Sequence, residues 1–166
     1  MSPGLVSQEL EFERSEDAVD AFYEKGWTDG LPVVPPTEPK VLKFLGTAGL
    51  SPDDILGSIP ERNRVFTAEK VAINAVMAGC LPEYFPVVGA AIRAISRPEF
   101  GLHGVSASTA GSGILMVING PVARELGLNS GQNLMGPGNR ANATIGRALR
   151  LVLYNLAGRE FDRSTL

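Results

Sequence analysis

The chain is short of the residues that usually build active centres. It has one cysteine, Cys80, and one histidine, His103, in 166 residues. One cysteine excludes a disulfide within the chain, so the cytoplasm is the expected setting. One histidine and one cysteine cannot close a zinc site of the usual kind, so no metal is expected, and no motif names a cofactor. A basic surplus is missing too. Fifteen Lys and Arg stand against 18 Asp and Glu, for a net charge of −3, and the cations are scattered. That excludes the footprint of a nucleic-acid binder. No apolar run reaches the length of a membrane span; the longest, Ile114 to Ile118, is strand-sized. The first residues, MSPGLVSQELEFE, show no basic-then-apolar leader pattern.

What is present is the composition of a globular domain, with 44% hydrophobic and 20% charged residues. The length suits one core. Residues 1–14 read as a loose or partner-binding arm, and 15–166 as a single globular domain. Nineteen glycines and 12 prolines announce many tight connections.

The spacing predicts a helix over 16–25, with Ser15 as its cap and Gly26 as its stop. Thr37 caps a second over 38–48, and Ser51-Pro52 starts about a turn more. Residues 58–66 read as an exposed extended segment. A strongly apolar helix over 68–79 looks central. Another follows over about 83–96, and a short one over 121–126. A long helix runs from about Asn139 to Ala157, stopped by Gly158. Residues 102–109, small and β-branched, and the apolar run 113–119 read as strands, joined through 109–113. The fold class expected is therefore α+β, or irregular α/β. It is a helix-rich single domain with a small sheet including strands near 102–109 and 113–119.

The densest polar stretch lies between Asn129 and Asn142, with four asparagines, one glutamine, one serine, one arginine and three glycines. Side-chain amides donate and accept in fixed directions, and glycine lets a ligand approach the backbone. Asn129, Ser130, Gln132, Asn139, Arg140 and Asn142, with Asn133 and Arg147 in the same set, are therefore candidates to bind a small anionic molecule at the start of the long helix. The alternative is a capping loop whose asparagines only complete backbone hydrogen bonds. Thr28 and Asp29, in GWTDGLPVVPPT, are candidates for another wall of the same pocket.

Cys80 sits just before a helix start, where a thiolate is stabilised; the alternative is a small buried apolar residue. Glu83 and His103 are candidate proton carriers for it. Each also has a structural reading, Glu83 as a partner of the helix dipole and His103 as a satisfied structural imidazole.

The segments GWTDGLPVVPPT, EKVAINAVMAGCLPEYFPVV and NGPVARELGLNSG…GPGNRANATIGRALRLVLYN resemble a bacterial family. Its members occur beside, or fused to, proteins named for a UGSC motif, in which selenocysteine or cysteine precedes Gly-Ser-Cys. The resemblance covers roughly residues 20–158. It implies thiol or selenol chemistry on a small molecule, with a UGSC-motif protein as partner. This chain has no UGSC motif of its own, so two-thiol chemistry needs another polypeptide.

Two functional readings follow. In one, the chain is an enzyme or catalytic subunit: Cys80 is nucleophile or redox thiol, and the amide loop with Arg140 clamps the substrate. In the other, it is a non-catalytic subunit that completes or stabilises a partner's site. In that second reading the arm and the apolar helices 68–79 and 83–97 form the interface with the partner. A homo-oligomer, most simply a dimer, is expected in either case, because two nearly all-apolar helices leave apolar surface to cover.

Overall fold

A computed structural model describes residues 4–107 and 113–157. The connection expected over 109–113 falls largely outside these residues, as does the expected stop at Gly158. Helices dominate, with one small antiparallel sheet, so the helix-rich α+β class holds. The elements are α1 (Ser15–Glu24), α2 (Glu38–Ala48), β1 (Ile55–Ile59), β2 (Arg64–Thr67) and α3 (Ala68–Met77). They continue with α4 (Phe85–Ile95), α5 (Leu102–Ala107), α6 (Pro121–Glu125) and α7 (Arg140–Leu156).

The core is built on α3, packed against α2, α4 and α7. Ala68, Val71, Ala72 and Ala75 of α3 are wholly buried, with Phe85, Val88 and Ile92 of α4 and Ala148, Leu151 and Val152 of α7. Alanines on α3 let the neighbouring helices come close. Helix α3 starts where expected: the Thr67 hydroxyl accepts from the backbone N–H of Lys70 at 3.4 Å. Because α3 is internal, it is not the oligomer surface that its apolar sequence suggested.

The sheet lies elsewhere than the sequence predicts. It is a hairpin in which Ser58 pairs with Val65 and Ile59 with Arg64. A 3-10 turn over Pro60–Arg62 joins the strands, and Asn63 closes it at φ 50°. Leu56, Ile59 and Phe66 point into the core. Gly57 is required in β1, since a Cβ there would run into the Ser96 side chain at the end of α4.

The strand expected near 102–109 is helix α5. Gly101, in the left-handed region at φ 64°, ends the preceding 3-10 turn, and Leu102 and Ser106 are buried at helical i, i+4 spacing. The segment 113–119 is not a sheet strand either. It runs without turn or bend, and its burial alternates residue by residue. Ile114 and Met116 pack on the core, while Leu115 and Val117 are 72% and 79% exposed. A continuous apolar run does not show whether one face or both will be covered. The turn expected to be helical at Ser51 is only a turn, closed by the Asp54 carboxylate accepting from Ser51 N–H at 2.8 Å.

The arm is tied to the body over its described part. Glu69, in the first turn of α3 and 1% exposed, accepts from Val6 N–H at 3.1 Å and from Ser7 N–H at 2.8 Å. Leu5 and Leu10 pack against the core, and Phe12 meets Phe22 edge-on. Among the described residues, no helix is long and apolar enough to cross a membrane.

Candidate functional site

Helix α7 brings together Asp29, Cys80, Asn129, Asn139, Arg140 and Asn142 of the candidate residues. Its polar positions Arg140, Thr144, Arg147 and Asn155 recur at spacings of three, four or eight, so they lie along one stripe. The side chains of Arg140, Arg147 and Asn155 reach Gly79, Asp29 and Trp27, while the Thr144 hydroxyl donates back to Arg140 O.

At the N-terminus, Asn139 caps the helix. Its Oδ1 accepts from Asn142 N–H at 2.9 Å, and its Nδ2 donates to Gly127 O at 2.8 Å. Asn142 lies one turn in and clasps the loop. Its Oδ1 accepts from Asn129 N–H at 3.0 Å, and its Nδ2 donates to Asn129 O at 2.9 Å and Leu134 O at 3.2 Å. The amide thus pairs with the backbone of Asn129 as a strand neighbour would. Asn129 turns its own side chain inward, accepting from Gly131 N–H and donating to Gln132 O, each at 3.0 Å. Gly136 allows the chain to pass against the Asn133 side chain, where a Cβ would not fit. Of the amides put forward for a ligand, those of Asn129, Asn139 and Asn142 are thus engaged with the loop's own backbone. Ser130 and Gln132 are exposed on the loop.

One turn on, α7 meets Cys80. Arg140 donates from Nε and NH2 to Gly79 O, at 3.1 and 2.9 Å. The Cys80 thiol donates to Thr144 O at 3.3 Å. Cys80 is 6% exposed. Burial pushes its pKa up to about 11, although the bond to Thr144 and the charge of Arg140 pull the other way. The reactive-thiolate expectation placed Cys80 at an electropositive helix start; here desolvation outweighs that field.

A further turn along, Arg147 forks onto Asp29, Nε to Oδ2 at 3.0 Å and NH2 to Oδ1 at 2.8 Å. The same NH2 donates to Pro32 O at 2.9 Å. Burial raises the Asp29 carboxyl, but the hydrogen bonds and charge of Arg147 outweigh it and hold the pKa below its ordinary value. Thr28 is buried, and its Oγ1 accepts from Gly30 N–H at 3.2 Å. Near the far end, Asn155 donates to Trp27 O at 3.0 Å and to Asn74 Oδ1 at 2.7 Å.

The three segments expected to share a pocket therefore do meet along one helix. They meet it through direct hydrogen bonds. A shallow depression lies at the opposite end of α4 from Cys80, between Ala94, Arg97, Glu99 and Phe100.

His103 does not join Cys80. Its Nδ1 accepts from Arg62 Nε at 3.3 Å, and Arg62 NH1 donates to Ala157 O at 3.4 Å. Ala157 follows Thr144 by 13 residues, about 20 Å along the helix axis. The imidazole and the thiol sit at opposite ends of α7, so His103 is no proton carrier for Cys80. Glu83 is exposed on the 3-10 turn Pro82–Tyr84. Among the described residues, no three of His, Cys, Asp and Glu come together as metal ligands would.

Arg147, put forward for an anion, is spent on Asp29. Asn74 and Asn155 carry much of this arrangement and were not among the candidates put forward for the site. Their signal is a polar residue within an apolar stretch of helix, as with Glu69 and Asn74 in α3. No family model, curated protein or solved structure matches the chain.

Proposed function

We propose that this chain is a non-catalytic subunit that completes or stabilises the site of a partner protein. The observation that carries the reading is the state of Cys80. It is buried, donates to Thr144 O and has its pKa pushed up to about 11. At neutral pH roughly one thiol in ten thousand is ionised, too few for an efficient nucleophile or redox thiol. The amide loop supports the same reading, since Asn129, Asn139 and Asn142 spend their amides on the loop's own backbone and hold the start of α7. The resemblance to the UGSC-associated family names the class of partner: a UGSC-motif protein acting on a small molecule in the cytoplasm.

The catalytic reading keeps one observation in its favour. The guanidinium of Arg140 lies on Gly79 O, next to Cys80, where its charge favours thiolate. In that reading Cys80 attacks a small anionic molecule and Glu83 moves the proton.

Iodoacetamide separates the two. The native protein at neutral pH is expected to label far more slowly than the urea-unfolded chain, and Cys80→Ala is expected to leave a partner's activity unchanged. Fast labelling of the native protein, with activity lost in Cys80→Ala, would restore the catalytic subunit.

A further inference from the structure

The segment 113–119 runs without turn or bend, its burial alternates as in a strand, and hydrogen bonds to its backbone are absent among the described residues. Its inner face, Ile114 and Met116, is anchored on the core, which fixes the outward direction of Leu115 and Val117. An anchored strand with unpaired N–H and C=O groups and apolar outward residues is a template for another strand.

We propose that residues 113–119 pair with the same segment of a second copy of this chain. The two strands run antiparallel about a two-fold axis at Met116. The sequence of the segment argues for a second copy over another partner. Gly-Ile-Leu-Met-Val-Ile-Asn is close to a palindrome in side-chain size about Met116. With Met116 opposite Met116, Leu115 of each copy faces Val117 of the other, and Ile114 faces Ile118. Small Gly113 faces Asn119 at each end. Every pair on the outward face therefore matches a large residue with a large one, or Gly with Asn. No charged residue lies between Gly113 and Asn119, so two copies meet without like-charge repulsion. A chain with charges at alternate positions would have to desolvate them here.

The contact is modest. Seven residues make roughly 23 Å of ribbon, and one strip of that length covers less area than a standard specific interface. The dimer is therefore expected to dissociate within the micromolar range. This proposal stands whether or not Cys80 reacts.

The test is sedimentation equilibrium of the full chain. The wild type is expected to pass from monomer to dimer across micromolar concentrations. Leu115→Lys with Val117→Lys sets Lys against Lys twice, and is expected to weaken the dimer about tenfold or more. Leu115→Lys with Val117→Glu sets Lys against Glu, and is expected to restore it in low salt. All four introduced side chains start from exposed positions, and circular dichroism checks that the fold survives. Register is read in a Cys80→Ala background. Leu115→Cys with Val117→Cys is expected to cross-link two copies on oxidation, and either cysteine alone is not, because like positions face each other only diagonally. A wild type that stays monomeric would overturn the proposal. So would a dimer indifferent to the paired lysines, or amides at 114–118 protected from exchange in the monomer.

Discussion

Two features bear on Cys80: a shell that excludes water and holds its proton, and the bond to Thr144 O, which pulls the other way. Both act on stability as well as on reactivity. The unfolded thiol has its ordinary pKa of 9.0, and the folded one about 11. Between these values the unfolded chain loses the proton first, so deprotonation draws the equilibrium toward unfolding. The contribution is fully present below pH 9 and is lost as pH rises through about 11. Melting temperatures of the wild type and Cys80→Ala, compared from pH 8 to 11, test this. The wild type is expected to lose more stability over that window, since lysines and tyrosines titrate in both. Parallel curves would mean that the thiol is better solvated than its burial implies.

At the scale of the element, α7 works by holding separate segments along one stripe, and each staple has its own expected cost. Asn142 makes three hydrogen bonds to the loop backbone. Removing them in Asn142→Ala strands partly buried groups at about 1–3 kcal/mol. The better helix propensity of alanine returns about 0.7 kcal/mol. A thermal melt is expected to show a net loss of about 1–2 kcal/mol. A gain instead would mean that the amide is not structural and is available to a ligand. Arg147 answers the nearly buried carboxylate of Asp29, whose side chain is 6% exposed. Arg147→Ala leaves that charge without its partner and is expected to cost about 2–3 kcal/mol. Arg147→Lys keeps the charge but loses the fork, and is expected to recover only part of it. The Asp29 carboxyl lies below its ordinary 3.8. The wild type is thus expected to keep the advantage above that value and to lose it as pH falls further.

Helices were the legible part of this sequence. Caps, stops and 3.6-residue spacing act within one segment, so α1, α2, α3 and α7 fall close to where the sequence predicts them. The hairpin over 55–67 was not legible, because its apolar positions Leu56, Ile59 and Phe66 alternate only once the Gly57 irregularity is known. For α5, the small residues of Leu102–Ala107 have weak preferences that packing overrides. The site was half legible. Amide density marked the loop as a candidate pocket lining, but composition cannot distinguish amides that wait for a ligand from amides that hold a backbone. Convergence of Asp29 on Arg147 spans 118 positions, and nothing local announces a contact of that range.

On the scale of the whole molecule, the arm and the body meet at one buried acid. Burial pushes the carboxyl of Glu69 up, but hydrogen bonds from Ser7 and Val6 and the charge of Lys70 outweigh it. Its pKa lies below the ordinary 4.5. A lowered pKa means that docking is favoured above that ordinary value and is lost as pH falls through the folded one. Exchange at the Val6 and Ser7 amides is therefore expected to be slow near neutrality and to rise, relative to intrinsic rates, in acid. The same contact yields a sharper test of whether residues 1–14 are an arm on a body that stands without them. In the full chain, Glu69→Gln replaces an acceptor of backbone N–H groups by a neutral amide, at an expected cost of about 1–2 kcal/mol. In a chain lacking residues 1–14, Glu69 faces water, and the same substitution is expected to cost little. The two changes should therefore couple by about 1–2 kcal/mol in a double-mutant cycle. Additive effects would mean that Glu69 serves α3 and not the arm. Failure of the shortened chain to fold would mean that Leu5, Leu10 and Phe12 belong to the core itself, and the division into arm and domain would then be withdrawn.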